Sequence, residues 1–319
     1  GKTNLKAPNR PLLCAGLCCI MKNLLVSFSG GETSAFMAQW LSRTYEKYGY
    51  ENIVFVFANT GLESERTLEF IEKCDKHFKL NVQWIEAEVI YEYNKGTRFY
   101  MTNFDEASRN GEPFEAMIKK YGIPNQANPQ CTRELKGAPI QAFGKQYFNG
   151  ERYHTAIGIR SDEIDRMNAK AKQRGFIYPL ISSKMIPVNK PMINFYWRNM
   201  PFRLELKGYQ GNCKTCWKKA DKKLYQIAKE NPNAFDFMRR MEEKYGNFFP
   251  KQRLEKWLAQ GKEIPKNITF FRNNRSAVQI LQEAQNWNGK IKDDSDEYSY
   301  QTDLLGGDSC EVFSECSNT

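Results

Sequence analysis

Histidine is almost absent from this 319-residue chain: there are two, His77 and His154. Soft ligand chemistry therefore falls to the thiols. No apolar run approaches the length of a membrane-spanning helix, so no membrane partner is expected. Gly-Lys-Ser/Thr is missing after the glycine pair near the N-terminus, which excludes a Walker phosphate loop. There is no internal repeat. The nine cysteines are unevenly spaced, and the one close pair in the body is Cys213-Lys-Thr-Cys216. That pattern excludes a small secreted disulfide framework and suggests a reducing, cytoplasmic setting. No Met opens the chain. Lys2, Lys6 and Arg10 precede a short apolar stretch, Pro11 to Ile20, which is weakly signal-like. Met21 leads directly into a strand and is read as the natural start. Residues 1–20 are then an upstream or disordered segment, and Cys14, Cys18 and Cys19 are set aside.

What is present is charge, unevenly placed. From Ile291 to Thr319 there are eight acidic residues and one basic, a net −7 against +10 for the whole chain, which leaves +17 elsewhere. A body this basic favours anionic partners, a nucleotide and also a nucleic acid such as tRNA or DNA. The competing reading is a solvated lysine-rich surface. Aromatics at 13% and hydrophobics at 41% are enough for a sizeable core.

Strand and helix patterns alternate. Leu24 to Phe28 is a short buried strand, Ser34 to Tyr48 a helix, Ile53 to Ala58 a strand, Glu63 to Phe78 an amphipathic helix and Val82 to Ile85 a third strand. Residues 95–130 read as loops with one helix around Glu115 to Lys120. Thr132 to Gly144 reads as a helix, Arg152 to Ile159 as a strand, and Lys222 to Tyr245 and Arg275 to Trp287 as helices. The expected fold is α/β, a mostly parallel sheet sandwiched by helices, with a helical C-terminal module. The expected domains are a nucleotide-binding unit over 21–190, a cysteine-containing helical module over 191–290 and an acidic, mobile tail over 291–319.

Ligands of such sheets sit beyond the carboxyl ends of the strands, where Ser29-Gly-Gly and Asn59-Thr-Gly fall. A strand running into Ser29-Gly30-Gly31-Glu32-Thr33-Ser34 and then a helix can close backbone N–H groups on phosphate. The helix N-terminus and the hydroxyls of Ser29, Thr33 and Ser34 add to this. The plainer alternative is a Gly-Gly turn with a serine cap.

The motif is more specific in its context. Val26-Ser-Phe-Ser-Gly-Gly-Glu-Thr-Ser-Ala-Phe-Met37 resembles the PP-loop of the adenine-nucleotide α-hydrolase-like superfamily, whose fold is Rossmann-like. More narrowly it resembles a phosphoadenosine-phosphosulfate-reductase-like branch common in phages and bacteria. The resemblance continues through Phe57-Ala-Asn-Thr-Gly61, Cys131-Thr-Arg-Glu-Leu-Lys136, Gly158-Ile-Arg-Ser-Asp-Glu163 with Arg166, and Gly211-Asn-Cys-Lys-Thr-Cys216. It implies that Ser29, Gly30, Gly31, Glu32, Thr33 and Ser34 hold the nucleotide phosphates. Asn59, Thr60 and Gly61 would line the adenosine, and Arg160 and Arg166 would engage the anionic end. Arginine's planar fork suits phosphate or sulfate. The alternative for both is a local ion-pair set with Asp162, Glu163 and Asp165. One position departs from many ATP-hydrolysing relatives: Thr33 stands where they carry the Asp that helps hold Mg²⁺, which leaves Mg²⁺ use open.

Cys213 and Cys216 can place two thiolates on one soft metal. In the resembling family Cys131 belongs to the same motif set, and three thiolates without a nearby histidine suit a [4Fe-4S] cluster. Arg133, Lys136, Lys214, Lys218 and Lys219 would offset its charge. The alternatives are zinc with His154 or Cys310 as a further ligand, a redox dithiol of Cys213 and Cys216 alone, or plain thiols. Cys74 reads as core. In the tail, Glu315-Cys316 faintly resembles the attacking cysteine of sulfonucleotide reductases, without the following Gly. Three functions follow from these readings. One is sulfonucleotide reduction with a thioredoxin-like reductant. The second is ATP-dependent thiolation of tRNA or DNA, which the aromatic-basic stretch Phe195-Tyr-Trp-Arg198 favours. The third is nucleotide binding without catalysis.

Overall fold

The computed structural model describes residues 21–92 and 94–295. The segment 1–20 with its three cysteines, and the acidic tail from 296 onward with Cys310 and Cys316, lie outside the described residues.

The first element is β1 (Asn23–Ser27), every residue of which is buried. It is followed by α1 (Glu32–Thr44), β2 (Asn52–Asn59), α2 (Glu65–Phe78) and β3 (Gln83–Glu88). Next come β4 (Arg98–Thr102) and α3 (Glu112–Tyr121), then α4 (Gln130–Thr132), α5 (Ala138–Tyr147) and β5 (Tyr153–Ala156). The α/β unit ends with α6 (Ala171–Arg174), β6 (Phe176–Ile177) and α7 (Lys190–Arg198). The C-terminal helices are α8 (Asp221–Glu230), α9 (Asp236–Tyr245), α10 (Lys251–Ala259) and α11 (Ala277–Asn286). Among the described residues no helix is long and apolar enough to cross a membrane.

The strands form one sheet in the order β4-β3-β2-β1-β5-β6, parallel except at the β3–β4 edge. The chain lays β2 and β3 on one side of β1, then crosses to place β5 and β6 on the other. The carboxyl ends of β1 and β5 therefore flank a topological switch point, where open α/β sheets leave a crevice for ligands.

Strand side chains alternate between two cores. Leu24, Val26, Phe28, Phe55 and Phe57 join Phe36, Leu41, Leu68, Ile71 and Trp197 on the face covered by α1, α2 and α7. Leu25, Val54, Val56 and Ile85 join Ile140 and Phe143 of α5 on the other. A further core is built from α3 (Phe114, Met117, Ile118) together with α8, α9 and α11 (Leu224, Met238, Ile280). The C-terminal helices thus share apolar packing with residues well before 191.

Three local readings of the sequence are corrected by the packing. The stretch read as loops before α3 holds β4, an edge strand paired antiparallel to β3 from Trp84↔Thr102 to Glu88↔Arg98. The helix expected from Thr132 is interrupted by a π segment, Arg133–Gly137. Pro139 explains this: it has no N–H for the carbonyl four residues back, and its ring crowds that carbonyl. The long helix expected from Lys222 to Tyr245 is two helices, broken at Pro232.

Candidate functional site

The loop after β1 is shaped by one glycine. Gly30 has φ +86°, and a Cβ there would lie 2.7 Å from Thr67 Cγ2 and 2.9 Å from Ile71 Cδ1. Only glycine combines that conformation with so close an approach of α2. Gly31 then sits at the N-cap of α1, which has no side-chain cap. The positive end of a 13-residue helix is therefore presented beyond β1. Ser29 Oγ donates to Ser34 Oγ (2.9 Å), and Ser34 Oγ donates to the Gly31 carbonyl (3.0 Å). Those two hydroxyls stiffen the loop from within.

The loop after β5 closes the crevice from the other side. A Cβ at Gly158 would stand 3.1 Å from Ser34 Cα, so the two loops nearly touch. Arg160 Nη1 donates to Thr33 Oγ1 (3.0 Å). Arg160 also pairs with Asp162 (3.1 Å) and Glu163 (3.3 Å), and Arg166 pairs with Glu163 (2.6 Å). The local ion pairs with Asp162 and Glu163 are thus formed, and Arg160 additionally faces the phosphate loop.

Glu32 is turned elsewhere. Its carboxylate accepts from Arg203 Nε (3.0 Å) and Nη2 (3.1 Å) and from Leu204 N (3.3 Å). Its carbonyl accepts from Trp197 Nε1 (2.9 Å). Glu32 anchors the 197–204 segment to the loop, and Thr33 spends its hydroxyl on Arg160.

At the end of β2, Asn59, Thr60 and Gly61 are buried. Asn59 Nδ2 donates to Glu86 Oε1 (2.6 Å) and the Ser108 carbonyl (2.8 Å). Buried Glu86 also accepts from Ser108 N, Ser108 Oγ and Tyr100 OH. Thr60 donates from N (2.9 Å) and Oγ1 (2.8 Å) to Glu63, whose other neighbour is Lys136 Nζ at 3.6 Å. The side chains of Asn59 and Thr60 hold the strand end together and give the phosphate loop a rigid wall.

The cysteine loop docks onto this wall. Asn212 Nδ2 donates to the Ser29 carbonyl (3.0 Å), Cys213 forms an antiparallel bridge with Glu63, and Lys214 N reaches the Leu62 carbonyl (3.4 Å). Cys216 beside it, then burial, then the negative charge of Glu63 push the Cys213 thiol well up, with Lys136 opposing.

Cys131 packs, like Cys213, against the core of the C-terminal helices. Its neighbour Thr132 accepts from Lys218 Nζ (3.3 Å). The expected metal set is not assembled: among the described residues no three or more His, Cys, Asp or Glu side chains are grouped to hold a metal ion. The described residues thus give no support to a three-thiolate cluster or zinc centre. His154, weighed as a further zinc ligand, pairs with Leu24 near the start of β1 and contacts Tyr50 OH (2.8 Å) through Nδ1.

With this geometry, similarity to known proteins is informative. The model of the phosphoadenosine phosphosulfate reductase domain matches residues 23–176. Over these residues the chain is similar to a phosphoadenosine phosphosulfate reductase domain. The match runs from β1 to β6 and includes the phosphate loop, the β2 strand end, Cys131, Arg160 and Arg166. A similar protein is the uncharacterized nin region protein ORF290 of Escherichia phage lambda. It is 29% identical over 209 residues, covering 65% of this chain and 69% of that protein. Two uncharacterized proteins of Methanocaldococcus jannaschii are 26% and 24% identical over 155 and 147 residues. Those alignments span only 26% and 28% of the relatives' own lengths.

Asn212, Cys213 and Cys216 lie outside the stretch matched to the reductase domain and are brought to it by tertiary packing. Arg203 and Glu63 were not singled out in the sequence as site residues. Asn212 stood in the quoted Gly211-Asn-Cys motif, which was the available signal. The Phe195–Arg198 stretch, read as a base-stacking surface, is the end of α7. Trp197 is fully buried against Phe70 (4.9 Å), and Tyr196 packs on Phe36 (4.9 Å), which leaves Phe195 exposed.

Proposed function

We propose that this chain is a sulfonucleotide-reductase-type enzyme. The anionic part of adenylyl sulfate or phosphoadenylyl sulfate occupies the crevice between the Ser29–Ser34 loop and Arg160. A cysteine thiolate attacks the terminal sulfur, and Arg160 and Arg166 offset the charge of the departing nucleotide. The observation that carries the reading is the Arg160–Thr33 contact across the switch point, at an uncapped helix start. The resemblance would put the attacking thiolate at Cys316, and a thioredoxin-like dithiol would restore the thiols between turnovers.

ATP hydrolysis with Mg²⁺ has less support, since Thr33 is engaged by Arg160 and the Glu32 carboxylate by Arg203. Thiolation of tRNA or DNA loses the aromatic platform that favoured it, because Trp197 is core. The test is to measure melting temperature and calorimetric affinity with adenylyl sulfate, phosphoadenylyl sulfate and ATP, with and without Mg²⁺. Sulfite release is assayed in parallel with wild type, Arg160→Ala and Cys316→Ala. A sulfonucleotide should bind without Mg²⁺ and yield sulfite. Binding without turnover would leave a nucleotide-binding protein, and binding of none of the three would sink the proposal.

A further inference from the structure

The loop carrying the CxxC pair is tied to the carboxyl ends of β1 and β2. The loop that carries it is fixed to the phosphate loop by Asn212, whose amide also lies 3.7 Å from where a Cβ on Gly31 would stand. The Glu63↔Cys213 bridge fixes it to the end of β2. Lys219 N holds the Cys216 carbonyl (3.0 Å) from the far side. Neither cysteine is joined in a disulfide, both are part-buried, and they stand three positions apart in one turn. A Cys-x-x-Cys spacing is the one in which two thiols can close to a disulfide and reopen. They do not gather with a third ligand among the described residues.

We propose that Cys213 and Cys216 form a redox-active dithiol that delivers both electrons to the sulfur of the bound sulfonucleotide, an inference that rests on the function proposed above. One thiolate attacks the sulfur. The sulfur–oxygen bond to the phosphate breaks, the nucleotide leaves with the bonding pair, and an S-sulfocysteine remains. The second thiolate then attacks the sulfur of that cysteine. The Cys213–Cys216 disulfide forms, the bond to the sulfo group breaks, and sulfite leaves with its electron pair. The two thiol protons pass to solvent. The substrate sulfur has gained the two electrons the cysteines lost, and an external dithiol returns the pair to thiols by exchange.

The test is a single turnover. Reduced full-length protein, freed of reductant, is mixed with excess phosphoadenylyl sulfate or adenylyl sulfate. Sulfite and free nucleotide are quantified, and the cysteines are mapped by peptide mass. One sulfite per chain with a Cys213–Cys216 disulfide is expected. Cys213→Ser and Cys216→Ser should each abolish sulfite release, and one of them should trap the S-sulfo adduct on the remaining cysteine. The wild-type disulfide map stands even where a serine variant folds poorly. Sulfite formation that persists in both variants overturns the dithiol role alone, as does its loss in Cys316→Ala with both serine variants active. Iron and acid-labile sulfide in anaerobically purified wild type, lost in Cys213→Ser, overturn it too. No sulfite from either sulfonucleotide, with or without a thioredoxin-like reductant, overturns the proposed function as well.

Discussion

The side-chain amide of Asn212 is bonded to the backbone carbonyl of Ser29 at 3.0 Å, across 183 positions of sequence. That bond joins the loop carrying Cys213 and Cys216 to the loop at the carboxyl end of β1. Replacing Asn212 with Ala should loosen both. A neutral hydrogen bond of this kind contributes about 1 kcal/mol, so sulfonucleotide affinity should fall roughly fivefold. Calorimetry checks this; unchanged affinity would mean the cysteine loop does not shape the nucleotide site.

Arg160 spans the crevice to Thr33. Arg160→Ala removes a charge-assisted contact, and the loss of ~1.5–3 kcal/mol corresponds to roughly 10- to 100-fold weaker binding. Arg160→Lys should recover only part of it, because an ammonium cannot serve Thr33, Asp162 and an anion with a planar fork. Full recovery by Lys would show that charge alone matters there.

Gly30 combines φ +86° with contacts from Thr67 and Ile71 that leave no room for a Cβ. Gly30→Ala should cost about 1–3 kcal/mol of stability from strain and crowding. Thermal unfolding should show a fall of several degrees, with loss of nucleotide protection. An unshifted melting curve would mean that α2 yields to the extra methyl group.

Glu242 couples the C-terminal helices to pH. Burial pushes its carboxyl up from 4.5 to about 7, although Phe270 N and Ala277 N donate to it and pull the other way. Its folded value lies above its unfolded one, so its contribution to stability is full below about pH 4.5 and is lost as the pH rises through 7. The loss is at most on the order of 3 kcal/mol. Melting temperatures of wild type and Glu242→Gln across this range should diverge as the pH rises, with the wild type falling relative to the variant. Parallel curves would refute the assignment.

Much of the α/β unit was legible in the chain because periodicity is local. Leu24 to Phe28 and Ile53 to Ala58 read as buried strands, and they are β1 and β2 with their side chains divided between two cores. The strand–Gly-Gly–helix order also placed the phosphate loop. Other readings failed where local pattern and tertiary environment disagree. Arg98 to Thr102 is short and largely exposed, with only Phe99-Tyr100-Met101 as an apolar run, and it becomes a strand where β3 offers an edge. Phe195-Tyr-Trp-Arg198 reads as an aromatic-basic surface, but helical spacing turns Trp197 inward onto Phe70.

The sequence by itself determined that residues 23–176 make a nucleotide-type α/β sheet with a glycine-shaped loop after its first strand. Those features rest on short continuous apolar runs that suit strands buried on both faces and on a backbone conformation that only glycine adopts readily. Tertiary structure alone decided what each polar residue does. Glu32 was committed to Arg203, Asn59 to Glu86, and the cysteine loop to the ends of β1 and β2. Buried donors and acceptors must find partners, and which partner is nearest depends on elements far apart in the chain.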